Sequence, residues 1–268
     1  MRKFEWIFLT DVDGTLDYHC TGIDEKTYKA ASDFASAGGG LGIATGRAIV
    51  STEEIALRLH VNVPCILYGG AMLYDFETRM PVWMSPLRNE IRKIADKVTQ
   101  EMKEVSVLIF TDTGISIMQS NEMLFSKGVP EECNPIYMDR PVTGNILKLN
   151  MCGERDALEY IERTYFPDRK YNFTYANRHF AEVVSPGAGK SKAMEVLSGR
   201  YKLPLERFIA MGDGQNDLEM LKKAGTSYTL DNASDEIKEA ADLVLPHCDE
   251  NGAALGFSLA MQKMRRTM

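Results

Sequence analysis

The 268-residue sequence predicts an α/β protein, a parallel sheet covered by helices, with an α+β unit inserted into it. Three observations predict this. Short apolar runs alternate with helix-patterned stretches over residues 6–68 and again over 191–264, the rhythm of crossover-connected parallel strands. Between them, over 85–185, strand-like runs neighbour one another more often than they alternate with helices, which marks an α+β arrangement. Polar residues that packing does not ask for fall just past several apolar runs, at the carboxyl ends where open parallel sheets bind ligands. The expected division is a discontinuous core, 1–84 with 186–268, and an inserted unit, 85–185.

Residues 6–9 are bulky, partly β-branched and uncharged, and read as a buried strand. Thr10-Asp11-Val12-Asp13-Gly14-Thr15-Leu16 follows, with Gly14 marking a turn. Asp24 supplies an N-cap for a helix over 25–37, which Gly38-Gly39-Gly40 stops. A strand over 41–44 ends in Thr45-Gly46-Arg47, a helix covers 48–59, and Pro64 introduces a strand over 65–68. Residues 71–74 and 81–84 form a β-hairpin across a polar stretch. The inserted unit reads as a helix over 87–103, strands over 105–110 and 114–118, and an irregular Pro-bearing region. A strand over 146–151, a helix over 155–165 and strands over 171–176 and 179–184 complete it. The core resumes with a helix over 191–201 and a compact apolar strand over 208–211. That strand ends in Gly212-Asp213-Gly214-Gln215-Asn216-Asp217. A helix over 216–224, strands over 226–230 and 243–245, and helices over 235–240 and 252–264 finish the chain.

Composition excludes several classes. A net charge of −7 argues against a general nucleic-acid binder, which would carry a basic excess. No apolar run approaches the roughly 20 residues needed to cross a bilayer, and the start of the chain, with Glu5 and Asp11, makes a poor signal peptide. Five scattered cysteines (Cys20, Cys65, Cys133, Cys152, Cys248) form no C-x-x-C pair, so a reduced cytoplasm is the expected location. Four histidines (His19, His60, His179, His247) show no metal-ligand spacing, which argues against a zinc site.

Four strand ends or loops hold the unexplained polar groups: Asp11 with Asp13, Thr45, Lys190, and Asp213 with Asn216 and Asp217. Burying adjoining acids is costly unless a cation or donors compensate. Carboxylates converging on one point need a hard cation, and oxygen donors of this kind suit Mg²⁺. A lysine, a threonine hydroxyl and backbone N–H groups beside that cation are what a phosphoryl group requires. The combination points to phosphoryl transfer with a carboxylate nucleophile.

Asp11-Val12-Asp13-Gly14-Thr15, Ile43-Ala44-Thr45-Gly46-Arg47, Lys190 and Gly212-Asp213-Gly214-Gln215-Asn216-Asp217 resemble the four motifs of the haloacid dehalogenase (HAD) superfamily. Their order, the insertion between the second and third, Asn232-Ala233 and Asn251-Gly252-Ala253 are similar to the Cof-type phosphatase branch. The resemblance implies a Rossmann-like core with an α+β cap, and a Mg²⁺-dependent phosphatase acting on small phosphorylated metabolites, sugar-phosphate-like. It implies that Asp11 is the nucleophile and Asp13 the general acid and then base. The metal would be held by Asp11, the Asp13 backbone carbonyl and Asp213, with Asp217 in support. Thr45, Gly46, Lys190 and Asn216 would hold the phosphate. Two positions depart from the family pattern: Gly69-Gly70-Ala71 stands where Asn-Gly-Ala is usual, removing a side chain that could touch substrate, and Lys190-Ser191 stands for Lys-Gly.

Simpler readings stand beside these. Gly187-Ala188-Gly189-Lys190-Ser191 mimics the end of a P-loop, but the glycine required five residues before Gly189 is Val184. Thr45 also suits an N-cap, Lys190 alone is an ordinary solvated lysine, and Arg47 suits a salt bridge as well as a substrate contact. Arg178 and His179, in a turn of the insertion, are candidate substrate contacts against a default of exposed turn residues. The fifteen methionines read as core. Two rival functions use the same core: a phosphotransferase or phosphomutase passing the phosphoryl group to an acceptor hydroxyl, and a catalytically idle binding protein.

Overall fold

The computed structural model describes residues 2–18, 22–127, 136–137, 143–168, 170–175 and 178–267. His19, Cys20, Cys133 and the end of the strand expected over 171–176 lie outside the described residues. Contacts divide the chain into two compact units, residues 1–47, 52–83 and 190–268, and residues 48–51 with 84–189.

The elements run in chain order from β1 (Ile7–Thr10), α1 (Glu25–Ser36), β2 (Gly40–Ile43) and α2 (Ile49–Leu59) to β3 (Cys65–Leu67), β4 (Met72–Asp75) and β5 (Met80–Met84). Next come α3 (Glu90–Glu101), β6 (Ser106–Thr111), β7 (Gly114–Gln119), α4 (Glu122–Lys127), β8 (Ile136–Tyr137) and β9 (Ile146–Cys152). After α5 (Arg155–Tyr165), β10 (Asn172–Tyr175) and β11 (Phe180–Val184), the chain continues with α6 (Lys190–Tyr201) and β12 (Phe208–Met211). It ends with α7 (Leu218–Lys223), β13 (Thr226–Leu230), α8 (Asp235–Ala240), β14 (Leu243–Leu245) and α9 (Gly252–Thr267).

The first unit is built on a parallel sheet of order β14-β13-β12-β1-β2. β1 lies between β12 and β2, Thr10 in register with Met211 on one side and Ile43 on the other. Successive residues of a strand face opposite ways, and β1 is apolar on both faces. Ile7 and Leu9 pack with Ala193, Met194 and Leu197 of α6 and Leu218 and Leu221 of α7. Phe8 turns to the other face, its ring 5.7 Å from Phe34 of α1 and 4.7 Å from Phe257 of α9. Full burial of each such side chain is worth roughly 1.5–3 kcal/mol, which holds a helical layer on each face of the sheet. Asp24 caps α1 as expected, its carboxylate accepting the Lys26 and Thr27 amide hydrogens at 2.8 and 3.0 Å.

The third crossover strand departs from the simple parallel pattern. β3 pairs antiparallel with β4 in a separate three-stranded sheet, β3-β4-β5, and reaches the β2 end through a parallel bridge between Ala44 and Ile66. β3 thus stands between β4 on one edge and the end of β2 on the other.

The second unit has a six-stranded sheet of order β10-β11-β9-β6-β7-β8, antiparallel except for β7 with β8. One face is covered by α3 and α5, where Ile91, Ala95, Val98, Leu158 and Ile161 meet Val107, Ile109, Leu149, Met151, Ala181 and Val183. α3 starts at Glu90 rather than at residue 87 because the Leu87 amide is drawn to the Ile146 carbonyl at 2.7 Å. The short elements α4 and β8 lie in the stretch expected to be irregular. Among the described residues no helix is long and apolar enough to cross a membrane. Cys65, Cys152 and Cys248 are free and buried.

Candidate active site

The site is assembled where β1 and β12 end side by side. The Asp11 amide still donates to the Met211 carbonyl, at 2.8 Å, so the strand pairing carries one residue past β1 and sets the nucleophile loop beside the loop that holds Asp213. The chain then turns tightly. The Val12 carbonyl accepts the amide hydrogens of Thr15, Leu16 and Asp17 at 3.1, 2.8 and 2.9 Å. Gly14 has φ +82°, and a Cβ there would stand 2.1 Å from Asp213 Oδ2. A side chain is excluded both by conformation and by the carboxylate above it.

This turn sends the two acids of the motif apart. The Asp11 side chain is buried, 5% exposed as a residue, and its Oδ1 accepts from Lys190 Nζ at 2.8 Å. Asp13 goes the other way, its side chain 56% exposed and forked by Arg47, whose Nε donates to Oδ2 at 3.0 Å. Arg47 Nη2 also lies 3.9 Å from Asp17 Oδ2. The guanidinium thus sits on Asp13 in this structure.

Lys190 opens α6 with its ammonium fully buried, bonded to Asp11 Oδ1 and, at 2.7 Å, to Asp217 Oδ1. Asp217 has its second oxygen occupied by the Gly214 amide at 3.1 Å. A Cβ at Gly212 would fall 2.3 Å from Asp217 Cγ, so the glycine lets the carboxylate fold back under its own loop. This use of Asp217 in the turn also explains why α7 begins at Leu218 and not at residue 216. Asp213 is held on both oxygens, Oδ1 by the Thr15 hydroxyl at 2.8 Å and Oδ2 by the Asn232 amide at 3.3 Å.

Asp11, Asp213 and Asp217 each offer an oxygen within 4.8 Å of the others. The electrostatics show too little positive charge for this set. Burial, with Asp217 and Asp13 adding to it and Lys190 opposing, pushes the Asp11 carboxyl up to about 7. Burial and the Asp11 charge push Asp213 up to about 6, and burial raises Asp217 despite Lys190. Burial pulls the Lys190 ammonium down, but Asp11 and Asp217 together outweigh it and leave it raised and charged. Buried oxygen donors in excess of their cation fit a hard divalent ion. The Asp13 side chain is outside this carboxylate set.

Thr45 closes the carboxyl end of β2. It is fully buried and fixed by its own backbone: its amide donates to the Ile66 carbonyl at 2.9 Å and its carbonyl accepts the Gly69 amide at 3.0 Å. Its hydroxyl oxygen accepts the Arg47 amide hydrogen at 3.1 Å, leaving the hydroxyl proton to point elsewhere. A Cβ at Gly46 would meet nothing within 4 Å, and the same holds at Gly69, which has φ +65°. Contacts at the Cβ position therefore do not exclude the asparagine expected at position 69. Asn216 is exposed in the loop after β12.

Arg178 and His179 belong to the second unit, at the bend before β11. Arg178 is exposed. His179 is tied locally, its carbonyl accepting the Gly153 amide at 3.0 Å and its Nδ1 lying 4.0 Å from Glu154 Oε2.

The sequence by itself marks no role for Thr15, Asn232 or Cys248. Thr15 stood inside the first motif, and Asn232 stood two residues past β13, where the strand-end rule that picked out Asp11 and Asp213 also applies.

A family model described as haloacid dehalogenase-like hydrolase matches residues 8–256. The chain is 26% identical over 274 residues to the 5-amino-6-(5-phospho-D-ribitylamino)uracil phosphatase YwtE of Bacillus subtilis, covering 91% of this chain and 94% of that protein. It is 25% identical over 247 residues to the HMP-PP phosphatase of Escherichia coli, covering 89% of each. A crystal structure of a haloacid dehalogenase-like hydrolase from Bacteroides thetaiotaomicron superposes with TM-score 0.85 at 23% identity, covering 99% of this chain and 100% of that one.

Proposed function

The chain belongs to the haloacid dehalogenase-like hydrolases, and from that premise we propose that it is a magnesium-dependent phosphatase of small phosphorylated metabolites, sugar-phosphate-like, working through an aspartyl-phosphate on Asp11. The observation that carries this reading is the buried Asp11 carboxylate at the end of β1, with Lys190 on one oxygen and Asp213 and Asp217 beside it. An idle binding protein gains nothing from keeping such a costly set together. The two named phosphatases among the relatives support the substrate class.

Asp11 attacks phosphorus with the oxygen that Lys190 leaves free, and the bond from phosphorus to the ester oxygen breaks. Asp13 delivers a proton to that leaving oxygen. In the second half Asp13 takes a proton from water as the water oxygen attacks phosphorus, and the Asp11–phosphorus bond breaks to release inorganic phosphate. Arg47 holds the Asp13 carboxylate between transfers, in the ion pair described above. Lys190, the Thr45 hydroxyl, the Gly46 amide and Asn216 hold the phosphoryl oxygens. A magnesium ion held by Asp11, the Asp13 carbonyl and Asp213 would supply charge compensation for the transferring group, with Asp217 supporting through Lys190.

Residues 1–84 and 186–268 are the catalytic core in this reading and 85–185 the cap that selects substrate; the division of contacts near residues 84 and 189 supports those bounds. A cytoplasmic location suits the buried free thiols. The test is hydrolysis of a panel of phosphometabolites with and without Mg²⁺, with Asp11→Asn as control and added sugars to trap transfer to a hydroxyl. Asp11→Asn is expected to lose activity on the order of 10⁴-fold or more, as loss of a nucleophile does elsewhere. Full activity in that variant overturns the mechanism, and a new phosphate ester in place of free phosphate would make the protein a phosphotransferase.

A further inference from the structure

Asn232 joins three segments of the first unit. Its Nδ2 donates to the Gly14 carbonyl at 2.7 Å and to Asp213 Oδ2 at 3.3 Å, and its Oδ1 accepts the Cys248 amide hydrogen at 3.1 Å. Two acceptors face the nitrogen and one donor faces the oxygen, so the amide has one orientation that satisfies every partner. The buried Cys248 thiol, in turn, donates to the Thr15 carbonyl at 3.1 Å, and the Thr15 hydroxyl donates to Asp213 Oδ1 at 2.8 Å. The bonds close a ring through residues 14–15, 213, 232 and 248. The two loops contributed by the last third of the chain thereby clamp the turn after Asp11 against Asp213.

The ring has a consequence for the Asp213 carboxylate. Each carboxylate oxygen offers about two in-plane acceptor sites. One neutral side-chain donor on each oxygen consumes one such site, and the two together fix the plane of the group. Neither donor is a cation, so neither offsets the negative charge a cation would meet. The missing Cβ of Gly14 lets that plane lie directly against the loop. We propose that Asn232 is a positioning residue for Asp213, aiming its remaining lone pairs toward Asp11 and so setting the affinity of the pair for a divalent cation. The inference rests on the cation reading given above and extends it to a residue that would not touch the ion. Partners of this outer kind are typically worth 10- to 100-fold in metal affinity.

The test is a Mg²⁺ titration without substrate, by calorimetry and by the Mg²⁺-induced rise in melting temperature, on wild type and Asn232→Leu, which keeps the shape and removes the donor. Weaker Mg²⁺ binding by about 10- to 100-fold supports the inference, together with a matching rise in the Mg²⁺ concentration for half-maximal hydrolysis and kcat near wild type at saturating Mg²⁺. Mg²⁺ affinity within about twofold of wild type overturns it, even if the melting temperature in EDTA falls, because Asn232 is then a structural tie alone. Asn232→Ala decides by the same readout if the leucine variant does not fold. A wild type that binds no Mg²⁺ overturns both the cation reading and this inference, whereas unchanged affinity in the variants overturns the inference and leaves that reading standing.

Discussion

Lys190→Met removes the ammonium bonded to Asp11 and Asp217 while keeping a side chain of similar length. The Lys190 ammonium is fully buried, with Asp11 Oδ1 at 2.8 Å and Asp217 Oδ1 at 2.7 Å. Removing one partner of a buried ion pair costs about 3–5 kcal/mol, because the charge left behind has no compensation. The loss depends on pH, and its sign follows from the shifts. Burial already raises Asp11 to about 7 and raises Asp217 even with Lys190 opposing. Without the lysine both folded carboxyls rise further, while their unfolded values stay near 3.9. A group whose folded pKa is raised binds more protons folded than unfolded, so stability falls as pH climbs from the unfolded value through the folded one. At pH 5 the carboxyls hold their protons and the penalty shrinks; at pH 8 it is larger. The assay is urea unfolding in EDTA at both pH values, followed by fluorescence, since Trp6 and Trp83 both lie in the first unit. Lys29→Met is the control, an exposed i,i+4 pair with Asp33 expected to cost about 0.3–0.5 kcal/mol. Equal losses at pH 5 and pH 8, or a loss no larger than the control, would refute the reasoning.

Three further outcomes are expected. Gly14→Ala forces a Cβ into a left-handed conformation and to 2.1 Å from Asp213 Oδ2. It should cost at least about 1–3 kcal/mol and weaken Mg²⁺ binding, read by melting and calorimetry. Arg47→Ala breaks a pair whose carboxylate is 56% exposed, so stability should change by less than about 1 kcal/mol. Turnover should nevertheless fall at least about tenfold, general acid–base action being worth 10²–10⁴; unchanged kcat removes Arg47 from the mechanism. Metal-free protein should lose stability as pH rises from about 4 to about 7, because Asp11 and Asp213 hold protons when folded that the unfolded chain releases. The Mg²⁺-induced rise in melting temperature should therefore be larger at pH 8 than at pH 5, and the opposite order would contradict the charge accounting.

Much of the chemistry was legible in order along the chain. Asp11, Thr45 and Asp213 each follow an apolar run, and the strand-end rule alone marks them. It works because a buried parallel strand is a local pattern of neighbouring residues, and the position where that pattern stops is where side chains meet solvent and ligand. Lys190 needed the resemblance as well, since nothing local separates a buried lysine at a helix start from a solvated one. The inserted α+β unit was visible in its lost alternation, although the ends of α3 and α7 shifted where the Leu87 amide and the Asp217 carboxylate found partners outside the helix.

What the sequence by itself determined, then, is which residues sit at strand ends and which chemical types gather there. Which of them face one another was decided by the tertiary structure alone. The order β13-β12-β1-β2 brings Asn232, Asp213, Asp11 and Thr45 to the carboxyl end of the sheet, and no local pattern encodes that order. The turn at Gly14 then splits the acid pair, burying Asp11 on Lys190 and sending Asp13 out to Arg47. The side-chain contacts that tie residues 11–15 to the other loops of the site join residues 34 to 233 positions apart. Such contacts are settled by the packing of whole layers and the need to satisfy each buried polar group, which residue order along one strand does not record.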